Sequence, residues 1–199
     1  MSSTNRSEAR KTHKSDYYVT PVREIENFLN ELQKEENQIL IKNFLDPCAG
    51  GLIGKDKMSY PEAIKNAVYD RYGGKPRVET IDIRLDSLAN IKGNYLKMDC
   101  KDKYDVIITN PPFNISLDII KKALNDVKDN GYVIMLLRLN YFGSKSRKKF
   151  WEEYGLPKYT FVHHKRMSFT DDGKTDSIEY AHFVWEKGYR SNFTNLRVI

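Results

Sequence analysis

At 199 residues with 40% apolar content, the chain is long enough to close one hydrophobic core and too short for two sizeable ones, so a second domain is not expected. A formal charge of +6 and a pI near 9.1 favour a polyanionic partner over a small neutral metabolite. The two cysteines, Cys48 and Cys100, lack metal-ligand spacing, no apolar run approaches the ~20 residues that span a bilayer, and the amino terminus lacks the apolar core of a secretion signal; zinc and disulfide frameworks are set aside and a cytoplasmic protein is expected.

Residues 1–15 are polar and charged and are expected to form a disordered arm ahead of one domain over 16–199. From Pro21 onward Val22, Ile25, Phe28, Leu29 and Leu32 have helical spacing. Thr20 is the predicted N-cap and Pro21 the first helical residue, where a missing N–H is tolerated. Phe44-Leu45-Asp46-Pro47-Cys48-Ala49-Gly50-Gly51 reads as a short strand running into a glycine turn, a form that lets a backbone pass close to a nucleoside ligand. Beyond it, Ser59 and Glu62 have the spacing of a capping box, which places the next helix start at Ser59.

Val78-Glu79-Thr80-Ile81-Asp82 predicts a strand ending in an acid able to accept both hydroxyls of a ribose. Tyr95-Leu96-Lys97-Met98-Asp99-Cys100 predicts a third strand, also ending in an acid, and Val106-Ile107-Ile108 a fourth that runs straight into Asn110-Pro111-Pro112-Phe113. Residues 116–128 form a predicted amphipathic helix with Leu117, Ile120, Ala123, Leu124 and Val127 inward. Tyr132-Val133-Ile134-Met135-Leu136-Leu137 is a near-continuous apolar run, as in a strand buried on both faces. A helix follows over 146–154, then strands over 159–164 and 180–186 joined by a polar loop.

Basic residues gather at Lys145, Arg147, Lys148 and Lys149 and again at His163, His164, Lys165 and Arg166. Solvated helix faces explain most such runs, although their place after the fourth strand also suits tracking a phosphate backbone. Strand alternation alone puts one of His163 and His164 in the core and the other in solvent. In the loop, Arg166 can pair bidentately with phosphate and Phe169 can wedge beside a displaced base.

The junction at Asn110 carries the most chemistry. Asn110 offers a side-chain carbonyl and Pro111 a carbonyl without an N–H, so the local groups are rich in acceptors that grip an amine by its two hydrogens. Phe113 supplies a face for an unstacked base, an interaction worth roughly 1–3 kcal/mol. Consecutive prolines hold φ near −65° and keep the preceding residue out of the helical region, so the pocket is organised before a substrate arrives. Alternatively, Pro-Pro only ends a strand and Phe113 fills core; four residues alone leave both readings open.

Taken in order, these segments resemble the S-adenosylmethionine-dependent amino-group methyltransferases, in particular the DNA adenine-N6 enzymes. Asp46-Pro47-Cys48-Ala49-Gly50 is similar to their first motif, Asp82 to the second, Asp99 to the third and Asn110-Pro111-Pro112-Phe113 to the fourth, while Tyr17-Tyr18-Val19-Thr20-Pro21 resembles their Tyr-x-Thr-Pro element. The resemblance covers the chain from about residue 16 and implies an α/β fold: a Rossmann-like, seven-stranded, mostly parallel sheet with helices on both faces and an antiparallel final strand. It implies S-adenosylmethionine as cofactor, bound by Tyr18, Thr20, Pro21, Asp46, Pro47, Cys48, Ala49, Gly50, Asp82, Asp99, Cys100 and Asn110, with Asp46 and Thr20 near its methionine part. Asp82 would take the ribose hydroxyls, and Asp99 with the backbone of Cys100 the adenine amine. Asn110, Pro111, Pro112 and Phe113 would form the catalytic element, and Phe113, Lys145, Arg147, Lys148, Arg166 and Phe169 would meet the nucleic acid. Cys48 belongs to the glycine turn, so it is read as a small packing residue and not as the nucleophile of a cytosine-C5 enzyme.

One departure stands out. Where the first motif usually carries a second glycine, this chain has Leu52, followed by Ile53-Gly54-Lys55-Asp56-Lys57-Met58. That insertion either closes over the cofactor, weakens its binding, or lies idle on the surface. Three functions follow: methylation of adenine N6 in DNA, the same chemistry on RNA adenine or a protein glutamine, or a non-catalytic nucleic-acid-binding subunit. The roughly 85 residues after Phe113 are filled by the elements that complete the sheet, so target specificity is expected from short loops or a partner subunit.

Overall fold

The computed structural model describes residues 19–36, 42–68, 75–169, 175 and 177–199. Tyr17, Tyr18, the arm over 1–15 and Asp171-Asp172-Gly173-Lys174 lie outside the described residues. In chain order the elements are α1 (Val22–Glu35), β1 (Asn43–Asp46), α2 (Ser59–Ala67), β2 (Arg77–Asp82), β3 (Ile91–Lys92), β4 (Val106–Thr109), α3 (Ser116–Asp126), β5 (Tyr132–Arg138), α4 (Lys145–Tyr154), β6 (Tyr159–Val162), β7 (Tyr180–Glu186) and β8 (Asn195–Val198).

The strands form one eight-stranded sheet in the order β3-β2-β1-β4-β5-β7-β6-β8. Strand β7 runs antiparallel to both β5 and β6, and every other pair is parallel. In the centre, Phe44 pairs with Val106 and Leu45 with Ile107, so successive side chains leave opposite faces in step. Leu45, Ile107, Val133 and Met135 join Ile119, Ile120 and Ala123 of α3 and Phe150 of α4 in one core. Phe44, Val106, Ile108 and Ile134 join Phe28 and Leu29 of α1 and Ile64 of α2 in the other. Each fully buried Val, Leu, Ile, Met or Phe among them contributes about 1.5–3 kcal/mol. Both faces of the central strands are therefore covered, which is why their sequences read as unbroken apolar runs.

Several expectations change. The strand predicted over 95–100 is absent; Tyr95–Lys97 form a 3-10 turn instead, and the parallel strand beside β2 is the two-residue β3. Asn94 explains the switch, because its side chain accepts a hydrogen bond from the Leu96 N–H at 3.0 Å and caps the turn. Thr20 does not cap α1. Pro21 occupies that position without a side-chain bond, and its carbonyl accepts from the N–H groups of Glu24 and Ile25. Likewise Met58, not Ser59, is the N-cap of α2, and the Glu62 carboxylate turns outward to Lys57 at 3.0 Å, so no capping box forms.

The sheet also has an eighth strand that the apolar pattern does not announce, so β7 is not the last. All four residues of β8 are exposed and it rests on β6 through parallel pairing. Helix α3 ends at Asp126, with Ile119 fully inward and Leu117 and Leu124 only partly buried. His163 is buried and His164 exposed, following the alternation. Among the described residues no helix is long and apolar enough to cross a membrane.

Candidate functional site

The carboxyl ends of β1, β2 and β4 open into a cleft of about 900 Å³, part of it open solvent, whose lining includes Thr20, Gly50, Asp82, Asn94, Asn110 and Pro112. This is where open parallel sheets bind ligands. Gly50 and Gly51 have φ of 63° and 71°, a conformation that side chains resist. A Cβ on Gly51 would stand 3.0 Å from both Leu88 Cβ and Met58 Cγ, so a side chain there would also have to displace those neighbours slightly.

Asp82 holds this turn. Its Oδ2 accepts from the Gly50 N–H and its Oδ1 from the Arg84 N–H, both at 2.8 Å. Arg84 Nε also faces Oδ1 at 3.5 Å, so Oδ2 is the oxygen with the clearer second lone pair for a ligand hydroxyl. The Arg84 side chain reaches back to the Gly51 carbonyl at 2.7 Å.

Asp46 is fully buried at the end of β1. Its Oδ1 accepts from the Cys48 N–H at 3.2 Å, while its Oδ2 and the neighbouring Thr109 hydroxyl have no well-formed partner among the described residues. Burial pushes the carboxyl up to about 7; Asp82 adds to the rise, and nearby Thr109 and the Cys48 N–H oppose it. Burial, then the charge of Asp46, also raises the Cys48 thiol, which stays protonated and unreactive.

Leu52 begins a self-bonded turn: its N–H donates to the Asp56 carbonyl at 3.0 Å, and its own carbonyl accepts from Lys55 and Asp56. Gly54 sits at φ 78° in the bend. The turn is fastened to the loop after β2, with Ile53 N–H on the Asp86 carbonyl at 3.3 Å and Leu88 N–H on the Gly50 carbonyl at 3.2 Å. Lys57, Ser59 and Tyr60, just beyond it, also line the cleft.

Asn110 stands where the cleft ends. Its Nδ2 donates to the buried Thr20 hydroxyl at 3.0 Å, an assignment that leaves Oδ1 as the acceptor for a ligand. Pro112 lines the cleft and Pro111 is buried behind it. Phe113 turns away into a group with Leu136, Met167, Phe169 and Tyr180. Its ring stacks on Tyr180 at 6.1 Å, and Phe169 meets Tyr180 edge-on at 4.9 Å.

The structure thus gathers Thr20, Pro47, Cys48, Ala49, Gly50, Asp82, Asn110 and Pro112 along one cleft and brings Phe113 and Phe169 into one aromatic group. Asp99 and Cys100 are not brought in. Asp99 is exposed and accepts from the Lys101 N–H at 3.2 Å, and the segment that follows the edge strand into the cleft is Gly93-Asn94-Tyr95. The sequence alone does not single out Asn94, because the acid at 99 places the strand end seven residues beyond Lys92; the Gly-Asn pair is the signal that marks the turn. Nor does the sequence single out Arg84, whose position two residues beyond Asp82 gives no pattern.

The basic residues are placed elsewhere. Arg147 donates to the Tyr141 carbonyl at 2.8 Å and lies 3.9 Å from that ring. Lys148 faces Glu152 at 3.6 Å, Arg166 faces Glu179 at 3.5 Å, and Lys145 is exposed at the start of α4. Among the described residues no group of three or more His, Cys, Asp or Glu could hold a metal ion.

No family model matches the sequence, and no curated protein matches it. Solved structures do. The chain is similar to a protein of Listeria monocytogenes assigned to the class I S-adenosylmethionine-dependent methyltransferases, with a TM-score of 0.68 at 13% identity over 91% of this chain and 65% of that one. It is equally similar, at 0.68 and 12% identity, to a type I restriction-modification system methyltransferase subunit from Streptococcus thermophilus, over 96% of this chain and 49% of that one. The M protein of the type I restriction enzyme EcoKI gives 0.56 at 13% identity, over 95% and 49%. This chain spans about half to two-thirds of the length of those proteins. Its mostly parallel Rossmann-like sheet with antiparallel β7 resembles the class I S-adenosylmethionine-dependent methyltransferase fold.

Proposed function

We propose that this chain is an S-adenosylmethionine-dependent methyltransferase that transfers a methyl group to the N6 amine of adenine in DNA, by direct in-line attack on a base turned out of its stack. The observation that carries the reading is Asn110, whose amide nitrogen is committed to Thr20 so that its oxygen is left for an amine, at the point where the cleft meets an aromatic group. The residues present suit the cofactor. Among the described residues Asp46 Oδ2 is a buried acceptor without a donor, and a Cβ at Gly51 would press Leu88 and Met58 at 3.0 Å. Asp46 and Thr20 would hold the methionine end and Asp82 the ribose hydroxyls. Asn94, in place of Asp99, would face the adenine end.

When bound, S-adenosylmethionine supplies an electrophilic methyl group on a sulfonium. The chain prepares the acceptor. An adenine amine is a poor nucleophile because its lone pair is delocalised into the ring. Asn110 Oδ1 and the Pro111 carbonyl would accept hydrogen bonds from its two N–H groups, favour a pyramidal nitrogen and stabilise the positive charge that develops there. Phe113 would stack on the target ring, and extrusion of the base supplies part of the selectivity. No dedicated strong base is required.

The choice of DNA draws on the net charge of +6 and on the sequence resemblance. The fold similarity to methyltransferase subunits of type I restriction systems supports it further and makes a specificity-supplying partner subunit part of the proposal. Tritiated methyl transfer to DNA, RNA and protein in parallel tests the reading. The expected result is label recovered as N6-methyladenine in DNA and lost in Asn110→Ala, with cofactor affinity retained. Label in RNA or glutamine would replace the substrate, and DNA affinity without cofactor binding would point to a non-catalytic subunit.

A further inference from the structure

The aromatic group beyond Pro112 contains a charge that methyl transfer does not use. Arg138 is the last residue of β5 and partly buried, and its Cζ lies 4.6 Å from the centre of the Phe113 ring. Its Nε is buried with no hydrogen-bond partner among the described residues, and no carboxylate among them forms an ion pair with it. Arg166, by contrast, is exposed and faces Glu179. A buried guanidinium N–H without an acceptor is a costly arrangement, which the attraction between a cation and a ring offsets only in part. Such a group gains by exchanging its place for one beside an anion.

We propose that Arg138 holds the place of the target base on Phe113 in the free protein and moves to a backbone phosphate when a nucleic-acid strand delivers its base. The inference rests on Phe113 being the stacking face for the substrate. A guanidinium is planar and weakly hydrated, stacks on rings, and binds phosphate through two parallel N–H groups. The exchange is therefore a plane for a plane: the base takes the ring, and the orphaned Nε gains an acceptor. Tyr180 and Phe169 stay packed beside Phe113 throughout. Substrate class follows from the same exchange. A planar amine without a phosphate, such as a free nucleoside or a glutamine side chain, displaces Arg138 and offers its charge nothing in return. Arg138 thus selects a phosphate-bearing strand.

Equilibrium binding of a short single-stranded oligonucleotide carrying 2-aminopurine, compared with 2-aminopurine riboside alone, tests this. Arg138→Met keeps most of the stem and removes the charge; Arg138→Lys keeps the charge without the planar fork. Arg138→Met should lose about tenfold or more in oligonucleotide affinity, and its slope of log K against log salt should fall by about 0.7, the value for one phosphate contact on a single strand. Its affinity for the riboside should hold or rise, because the ring is uncovered. Arg138→Lys should retain the salt slope and fall between wild type and Arg138→Met in affinity. Wild-type oligonucleotide affinity and slope in Arg138→Met would overturn the proposal. So would an equal proportional loss for oligonucleotide and riboside, the mark of a residue that only props up Phe113. Affinity is the readout, so a wild-type protein that binds the strand through Arg138 and transfers no methyl group would sink the catalytic reading and leave the role of Arg138 standing.

Discussion

Replacing Asp46 by Asn should stabilise the free protein, and the gain should grow with pH. Burial lifts the carboxyl from an ordinary value of 3.8 to about 7, so the folded state binds a proton that the unfolded chain has already lost. For a group raised in this way, stability is present in full below its unfolded value and is lost as pH rises through about 7. The shift of about three units, at about 1.4 kcal/mol each, sets a ceiling of about 4 kcal/mol. About 3 kcal/mol of that develops between pH 5 and pH 8. Asn keeps the shape of the side chain and an oxygen for the Cys48 N–H. Urea unfolding of both proteins at half-unit pH intervals, without ligand, measures the difference directly. A stability difference that stays constant across that range would refute the argument, because it would place the carboxyl of the folded protein at its solvent value. The variant should also bind S-adenosylmethionine less tightly if the unpaired Oδ2 is a ligand acceptor, so stability and affinity should move in opposite directions.

Thr20→Val removes the acceptor that fixes the Asn110 amide, and should lower kcat about tenfold for roughly 1.4 kcal/mol of lost positioning, with Thr20→Ser restoring it in steady-state assays. Ile107→Ala, at a fully buried position in the central strand, should cost about 2–5 kcal/mol in urea unfolding. His163 is held down to about 4, first by burial and then by His164, and its ring bonds His182 at 2.8 Å, with Glu24 3.8 Å away. Being neutral in the fold, it contributes stability above about 6.5 that is lost as pH falls towards about 4, by about 3 kcal/mol at the lower end; the stability difference between wild type and His163→Gln should shrink over that interval.

What could be read from the sequence tracks burial. Strands β1, β4, β5 and β7 lie inside the sheet, where buried side chains on both faces leave a largely apolar signal. Edge strands leave none. β3 has two residues and β8 exposes all four of its side chains, so neither has a face for the core to write into the sequence. The same contrast holds in the site. Gly50, Asp82 and Asn110 stand out because each ends a readable strand, whereas Asn94 ends an unreadable one. Thr20 reads locally as a cap, but its hydroxyl is taken by a residue 90 positions away, which no local pattern reports. Arg138 lies one residue beyond the apolar run read over 132–137, and its place beside Phe113, 25 residues away in sequence, is set by the fold and not by any local pattern.

Asp82 gives one oxygen to the turn after β1 and the other to the loop after β2, and Arg84 closes the circuit by returning to the Gly51 carbonyl. Two loops whose bonded residues are 32 apart in sequence are thereby tied together. Removing the Asp82 carboxylate would therefore release the glycine turn and the loop after β2 together, so a single side chain sets the register of two separate loops at the floor of the cleft.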